Sequence, residues 1–221
     1  MNEPEARIKV CGITNLRDAQ AACALGAWAI GFIFYPPSPR SVEPAQAARI
    51  ADSLPHNVRK VGVFVDSSLR EILEVAERVG LDIVQLHGAE GRELVDALLP
   101  HFEDVWKAVR IGSRLPDLEP FRGITLLLDT YRKDRPGGTG ETFPWERALE
   151  AKCYGRVVLA GGLRPENVAA AVLAVRPYAV DVASGVESAP GEKDHLKLER
   201  FFEEAHRAWK EIRGENGTQS E

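Results

Sequence analysis

Several side chains able to move protons stand where runs of β-forming residues give way to glycine or small polar turns. The first is Cys11, which ends Arg7-Ile8-Lys9-Val10-Cys11 and precedes Gly12-Ile13-Thr14-Asn15. Strand alternation puts Arg7, Lys9 and Cys11 on one face and Ile8 and Val10 on the other. Gly12 permits a sharp turn or a close backbone approach. Asn15 can cap a helix from Leu16, whose free N–H groups point back towards the thiol and favour a thiolate. Alternation also places Gln85 and His87 together in Ile83-Val84-Gln85-Leu86-His87-Gly88, and Thr125 with Asp129 in Thr125-Leu126-Leu127-Leu128-Asp129. In Ala179-Val180-Asp181-Val182-Ala183 it sets Asp181 against its apolar neighbours. Each has a plain structural reading alone: a small buried hydrophobe for Cys11, a turn cap for Asp129, a carbonyl-bonded core histidine for His87. Together they outnumber what packing needs, because buried charges without partners are costly.

Other stretches suit an anionic ligand. Ala160-Gly161-Gly162-Leu163-Arg164-Pro165 is a glycine pair opening into a helix, and Ala183-Ser184-Gly185-Val186-Glu187 is a second small-residue turn able to start a short helix. Backbone N–H groups in such turns and at helix N-termini bind phosphate. Arg40 ends the proline-stiffened loop Tyr35-Pro36-Pro37-Ser38-Pro39 and is suited to a bidentate grip on a carboxylate, or to plain solvation. Thr130 to Phe143 contains Pro136-Gly137-Gly138-Thr139-Gly140, a candidate lid; it lacks the Gly-Lys-Ser/Thr of a nucleotide loop.

These residues need a scaffold that gathers strand ends. Strand patterns cover Arg7 to Cys11, Ala29 to Phe34, Lys60 to Val65, Ile83 to His87, Val105 to Val109, Thr125 to Asp129, Val157 to Ala160 and Ala179 to Ala183. Helical spacing covers Leu16 to Leu25, Pro44 to Leu54, Ser68 to Val79, Glu90 to Leu99, Pro144 to Ala151, Pro165 to Val175 and Asp194 to Arg213. The connection from Gly112 to Gly123 is short and carries two prolines, so its helix is weak or missing. An open doubly wound sheet would carry G-x-G-x-x-G after its first strand, and Cys11-Gly12-Ile13-Thr14-Asn15-Leu16 does not. The alternation and length predict an α/β protein, a (β/α)8 TIM barrel in one domain over residues 1–213, with a polar, disordered tail from Gly214 to Glu221. In that fold the strand C-termini bear the chemistry, and the loops after the seventh and eighth strands commonly hold phosphate.

Composition narrows the function classes. A net charge of −5 gives no electrostatic reason to expect nucleic acid or an anionic membrane. Cys11, Cys23 and Cys153 form no C-x-x-C pair, so neither a disulfide framework nor a zinc knuckle is expected. The uncharged run within Ala19 to Pro39 is broken by Gly26, Gly31 and prolines and is too short to span a bilayer. Met1 to Ala6 has none of the marks of an export signal, which leads to a cytoplasmic expectation.

Lys9-Val10-Cys11-Gly12-Ile13-Thr14, Phe34-Tyr35 with Ser38-Pro39-Arg40, Gln85-Leu86-His87-Gly88, Leu128-Asp129-Thr130, Gly137-Gly138-Thr139-Gly140, Gly161-Gly162-Leu163 and Val180-Asp181-Val182 with Ser184-Gly185-Val186-Glu187 occur in that order. The series resembles that of the phosphoribosylanthranilate isomerases of tryptophan biosynthesis. The resemblance implies an Amadori rearrangement of N-(5-phosphoribosyl)anthranilate to 1-(2-carboxyphenylamino)-1-deoxyribulose 5-phosphate. It further implies Asp129 as general acid, Cys11 as general base, Arg40 on the anthranilate carboxylate and Gly161, Gly162, Ser184 and Gly185 on the phosphate. Gln85, His87 and Asp181 are counted among the substrate-binding residues, and the protein is expected as a monomer or homodimer acting on a small phosphorylated substrate. Ala183 departs from the pattern, which has a small polar residue there. Lys9 either favours the thiolate or pairs with Asp181. The rivals are an indole-glycerol-phosphate synthase, which would carry lysine and glutamate in place of Cys11 and Asp129, and a barrel that only binds a phosphorylated ligand.

Overall fold

The computed structural model describes residues 6–112, 114–129 and 145–217. Eight parallel strands close into a barrel in chain order: β1 Ile8–Cys11, β2 Ala29–Ile33, β3 Arg59–Phe64, β4 Ile83–Leu86, β5 Asp104–Arg110, β6 Thr125–Asp129, β7 Val157–Leu159 and β8 Ala179–Val182. β1 closes the ring by pairing with β2 and β8, with Cys11 opposite Gly31 and Lys9 opposite Asp181. The helices are α1 Leu16–Ala24, α2 Pro44–Ala51, α3 Leu69–Val79, α4 Arg92–Leu98, α5 Trp145–Ala151, α6 Val168–Val175 and α7 His195–Gly217. The expected weakness after β5 is present: among the described residues that connection holds only a 3-10 turn, Glu119–Phe121.

Alternation sorts the core into two bodies. Ile8, Val10, Ile30, Phe32, Val84, Leu86, Leu126, Leu128, Val180 and Val182 pack outward under the helices. Ala29, Val61, Ile83, Trp106, Leu127, Val158, Ala160 and Ala179 fill the barrel interior. Interior positions nearer the C-terminal strand ends are polar: Lys9, Gln85 and Asp181 are all buried there.

Where element ends differ from the sequence pattern, a side chain has taken another partner. α3 starts after Ser68 because Ser68 and Glu71 form a reciprocal capping box. α4 starts after Gly91 because the Glu90 carboxylate is committed to the backbone N–H groups of Asp66 and Gly88 and to Lys107. α6 starts at Val168, since Asn167 turns back to bond Arg164 N and Gly162 O. α7 passes Arg213 and runs as helix to Gly217. Its buried face, Leu198, Phe201, Phe202, Ala205, Ala208, Trp209 and Ile212, anchors a helix that then propagates at one hydrogen bond per residue. Residues 218–221, the N-terminal residues 1–5, position 113 and the segment 130–144 with its expected lid lie outside the described residues.

A hairpin absent from the sequence reading, β9 Glu187–Ala189 and β10 Glu192–Lys193, follows β8 and turns at Gly191 with φ +83°. It is tied to the N-terminal part of the chain by Asp18, whose carboxylate accepts from Lys193 N at 2.8 Å, from Asn15 Nδ2 at 2.8 Å and lies 2.8 Å from His195 Nε2. Burial alone would raise the Asp18 carboxyl, but the Lys193 N–H, His195 and Asn15 hold it below the ordinary carboxylate value. Its contribution to stability is therefore complete above the unfolded value of about 4 and is lost as pH falls through the lower folded value. Asp18→Asn is expected to lower the urea midpoint at neutral pH, by about 1–3 kcal/mol in stability. Between about pH 5 and about pH 3 its midpoint should fall less steeply than that of the parent protein.

Candidate active site

Cys11 ends β1 on the interior-facing parity, and its place depends on β2. A Cβ added to Gly31 would stand 2.9 Å from Cys11 Sγ and 3.0 Å from Lys9 Cε, so the glycine opens the space that both side chains occupy. Lys9 is fully buried; its ammonium bonds Asp181 Oδ1 at 2.9 Å and its charge acts on the neighbouring Cys11 thiol. The open choice for Lys9 is thus resolved in both directions: it pairs with Asp181 and faces the thiol. Burial opposes the Lys9 charge, but Asp181 and Cys11 prevail and hold its pKa above the usual lysine value. Burial pushes the Cys11 thiol up, Lys9 and Lys193 pull it down, and Asp181 adds to the upward push, which leaves it above an ordinary thiol. These surroundings disfavour the thiolate in the ligand-free site, where the sequence alone leaves both a thiolate and an inert buried thiol open.

Asp129 ends β6 on the parity of Leu127, an interior residue. Its Oδ2 lies 3.3 Å from His87 Nε2, and the other ring nitrogen of His87 is 3.0 Å from Gln85 Nε2. Both Asp129 and His87 keep part of their side chains accessible, 19% and 25%, whereas Gln85 is buried beneath them at 1%. Gln85 accordingly touches the imidazole. Behind His87, Lys107 donates to Gly88 O and Glu90 Oε2, both at 2.7 Å, and so pins the turn leaving β4. Asp66, at φ +52°, completes that turn by accepting from Ala89 N.

Arg40 crosses the β1 turn, where Gly12 at φ +73° makes room: a Cβ there would stand 2.9 Å from Arg40 Cδ. The guanidinium grips Glu187 through Nε, at 2.9 and 3.0 Å, and Nη2, at 2.6 Å. Lys193 holds the same carboxylate from the other side at 2.9 Å and donates to Cys11 O at 2.7 Å and Ala183 O at 3.3 Å. Although burial would raise it, the Glu187 carboxyl stays below its usual value because Arg40 and Lys193 bind its charged form. Two cations, Arg40 and Lys193, thus hold the one Glu187 carboxylate. The sequence reading found Arg40 and missed both partners; the Pro190-Gly191 pair was the available signal for the hairpin that carries Lys193.

The two glycine turns meet. Gly161 and Gly162 have φ of +72° and +68°, and Gly185 lies in the 3-10 turn Ser184–Val186 with its Cα against Leu163 O, where any Cβ would collide with backbone. Cys11, His87, Asp129, Arg40 and both turns thus lie at or just beyond strand C-termini, the end of such barrels where active sites form. Among the described residues no group of His, Cys, Asp and Glu could hold a metal ion, and no helix is long and apolar enough to cross a membrane.

The family model of N-(5'-phosphoribosyl)anthranilate (PRA) isomerase matches residues 8–204. A relative named N-(5'-phosphoribosyl)anthranilate isomerase, from Geobacter sp. (strain M21), is 48% identical over 201 residues, covering 90% of this chain and 97% of its own. The solved phosphoribosyl anthranilate isomerase of Thermotoga maritima is 44% identical with a TM-score of 0.84, covering 92% of this chain and 100% of that one. A phosphoribosyl anthranilate isomerase solved in complex with reduced 1-(o-carboxyphenylamino)-1-deoxyribulose 5-phosphate is 42% identical, with a TM-score of 0.81 and the same coverage. With a family match across nearly the whole barrel and relatives of this identity and coverage, the chain belongs to the phosphoribosylanthranilate isomerase family.

Proposed function

We propose that this protein isomerises N-(5-phosphoribosyl)anthranilate to 1-(2-carboxyphenylamino)-1-deoxyribulose 5-phosphate, with Asp129 as general acid and Cys11 as general base. The observation that carries the reading is the placement of one thiol and one carboxyl at the ends of interior-facing strands, the thiol beside the Lys9–Asp181 pair and the carboxyl 3.3 Å from His87 Nε2, inside a barrel of this family. Asp129 protonates the ribose ring oxygen, the ring opens and the nitrogen lone pair forms a Schiff base. As the Schiff base forms, Cys11 gives up its own proton to solvent; the thiolate then takes the proton from the neighbouring sugar carbon, and the resulting enolamine tautomerises to the ketone. The cationic Schiff base acidifies that carbon and, standing near the thiol, favours its ionised form. A thiol with a raised pKa is also the stronger base once ionised.

Arg40 receives the anthranilate carboxylate while still joined to Glu187, and Lys193 keeps that corner positive enough to accept a second carboxylate. The phosphate lies against the backbone of Gly161, Gly162, Ser184 and Gly185. Asp181 acts through Lys9, to which it is bonded. All these residues come from one chain, so either a monomer or a homodimer holds a whole site, and the cytoplasm is the expected compartment. Nothing is oxidised and no phosphoryl group moves, so the reaction itself calls for no cofactor.

Two measurements test the reading. The fluorescence of freshly generated phosphoribosylanthranilate should decay with the parent protein. With Cys11→Ser and Asp129→Asn the decay should be at least about a hundredfold slower while a phosphate-bearing product analogue still binds. A parent protein that leaves the substrate unchanged, or a Cys11→Ser variant with full turnover, would return the barrel to a phosphate-binding role. Gly31→Ala should lower kcat by about tenfold or more, because its Cβ displaces Cys11 or Lys9 by a few tenths of an ångström; far-ultraviolet circular dichroism should stay unchanged.

A further inference from the structure

Gln85 is buried at 1% exposure in the upper barrel interior, yet its Oε1 is a buried side-chain polar atom without a hydrogen-bond partner among the described residues. Its Nε2 is engaged, 3.0 Å from His87 Nδ1. An amide nitrogen donates and cannot accept, so Nδ1 is the acceptor and the proton of a neutral imidazole sits on Nε2. That Nε2–H faces Asp129 Oδ2 at 3.3 Å. The amide leaves its oxygen unsatisfied in the orientation that sends a donor along the chain Gln85, His87, Asp129.

We propose that Gln85 and His87 form a hydrogen-bond relay that orients the carboxyl of Asp129 and makes it a better proton donor. His87 Nε2–H bonds to Oδ2, so the proton to be delivered resides on Oδ1. When that proton leaves for the ribose ring oxygen, the neutral hydrogen bond from His87 becomes a charge-assisted one to the carboxylate and strengthens as the charge develops. His87 neither gains nor loses a proton, and Gln85 selects its tautomer. Both are positioning residues that act through Asp129. The relay rests on the isomerase reading for its catalytic consequence and on geometry alone for the tautomer.

Among the described residues, the charged groups on the elements adjoining His87 have these engagements. Lys107 is bonded to Glu90 and Gly88 O, Asp66 accepts from Ala89 N, and Arg147 of α5 donates to Gly112 O. Arg110, in register with Asp129 on β5, is exposed. Lys9, Asp181 and Cys11 face one another at β1 and β8, and β7 carries no titratable residue.

The test joins a spectroscopic readout to kinetics. Nitrogen-15 NMR of the imidazoles, with the His87 signal assigned by its loss in His87→Gln, should show Nε2 protonated and Nδ1 bare in the parent protein. Gln85→Glu presents an acceptor to Nδ1 and should put a proton on that nitrogen. The same variant should lower kcat about tenfold with KM within about twofold, and should move the limb of the kcat–pH profile that belongs to the acid. Gln85→Met, which removes the donor without charge, should also lower kcat and covers the case in which Gln85→Glu does not fold. His87→Gln, which can still donate to Asp129, should retain more activity than His87→Leu. Finding Nδ1 protonated in the parent protein would overturn the relay, as would parent-like kcat in either Gln85 variant. Because the tautomer is read without substrate, a wrong tautomer with intact turnover sinks the relay alone, whereas absent turnover in the parent protein sinks the isomerase reading.

Discussion

A buried ammonium sits at the centre of this structure. Lys9 has no exposed surface, and a lone cation there would cost several kcal/mol in desolvation. It is held by Asp181 at 2.9 Å, directly across the β1–β8 seam that closes the barrel, so the pair exists only once the ring is complete. The aromatic face of Trp106, 5.9 Å from Nζ, completes its surroundings. Cys11 lies on the same face of the strand and feels the charge of the same ammonium. Closure of the fold and the electrostatic setting of the thiol are therefore one interaction, and Gly31 on the next strand supplies the space for it.

A second ionic cluster does for the loops what Lys9 does for the strands. Glu187 binds Arg40 from the β2 loop and Lys193 from the hairpin, and Lys193 reaches the carbonyls of Cys11 and Ala183 at the ends of β1 and β8. The Lys193 backbone N–H in turn rests on Asp18 of α1. Segments far apart in sequence are thereby locked around the end of β1. An arginine that holds a structural glutamate with one edge loses little side-chain freedom on meeting a substrate carboxylate, because it is already ordered.

Much of the site was legible because strand parity is a local property. Cys11, His87, Asp129 and Asp181 fall on the interior parity of their strands by counting alone, and the glycine pair Gly161-Gly162 reads as a turn because of its residue types. What was not legible was the choice among distant partners. Arg40 and Glu187 are separated by 147 positions, and Lys193 and the Cys11 carbonyl by 182; nothing local marks either pairing. Gln85 shows the same limit. Its parity places it inside the barrel, but only the three-dimensional depth of β4 shows that it lies under His87. Helix ends were misread where one carboxylate or amide, Glu90 or Asn167, took a partner outside its helix.

The thiol's raised pKa bears on how such a site can work. A base that were already ionised in the empty pocket would be a weak one, since low pKa and high proton affinity exclude each other. In the proposed reaction, burial beside Asp181 opposes ionisation of Cys11 until a further cation arrives, while Lys9 and Lys193 keep the ionised form within reach. The Schiff base supplies that cation only after the acid has acted, so the order of the two proton transfers follows from electrostatics. On this account the thiol proton leaves to solvent as the Schiff base forms, with no dedicated partner in the resting enzyme. The neighbouring ammonium, held in place by Asp181, sets the threshold, and the ring-opened substrate crosses it.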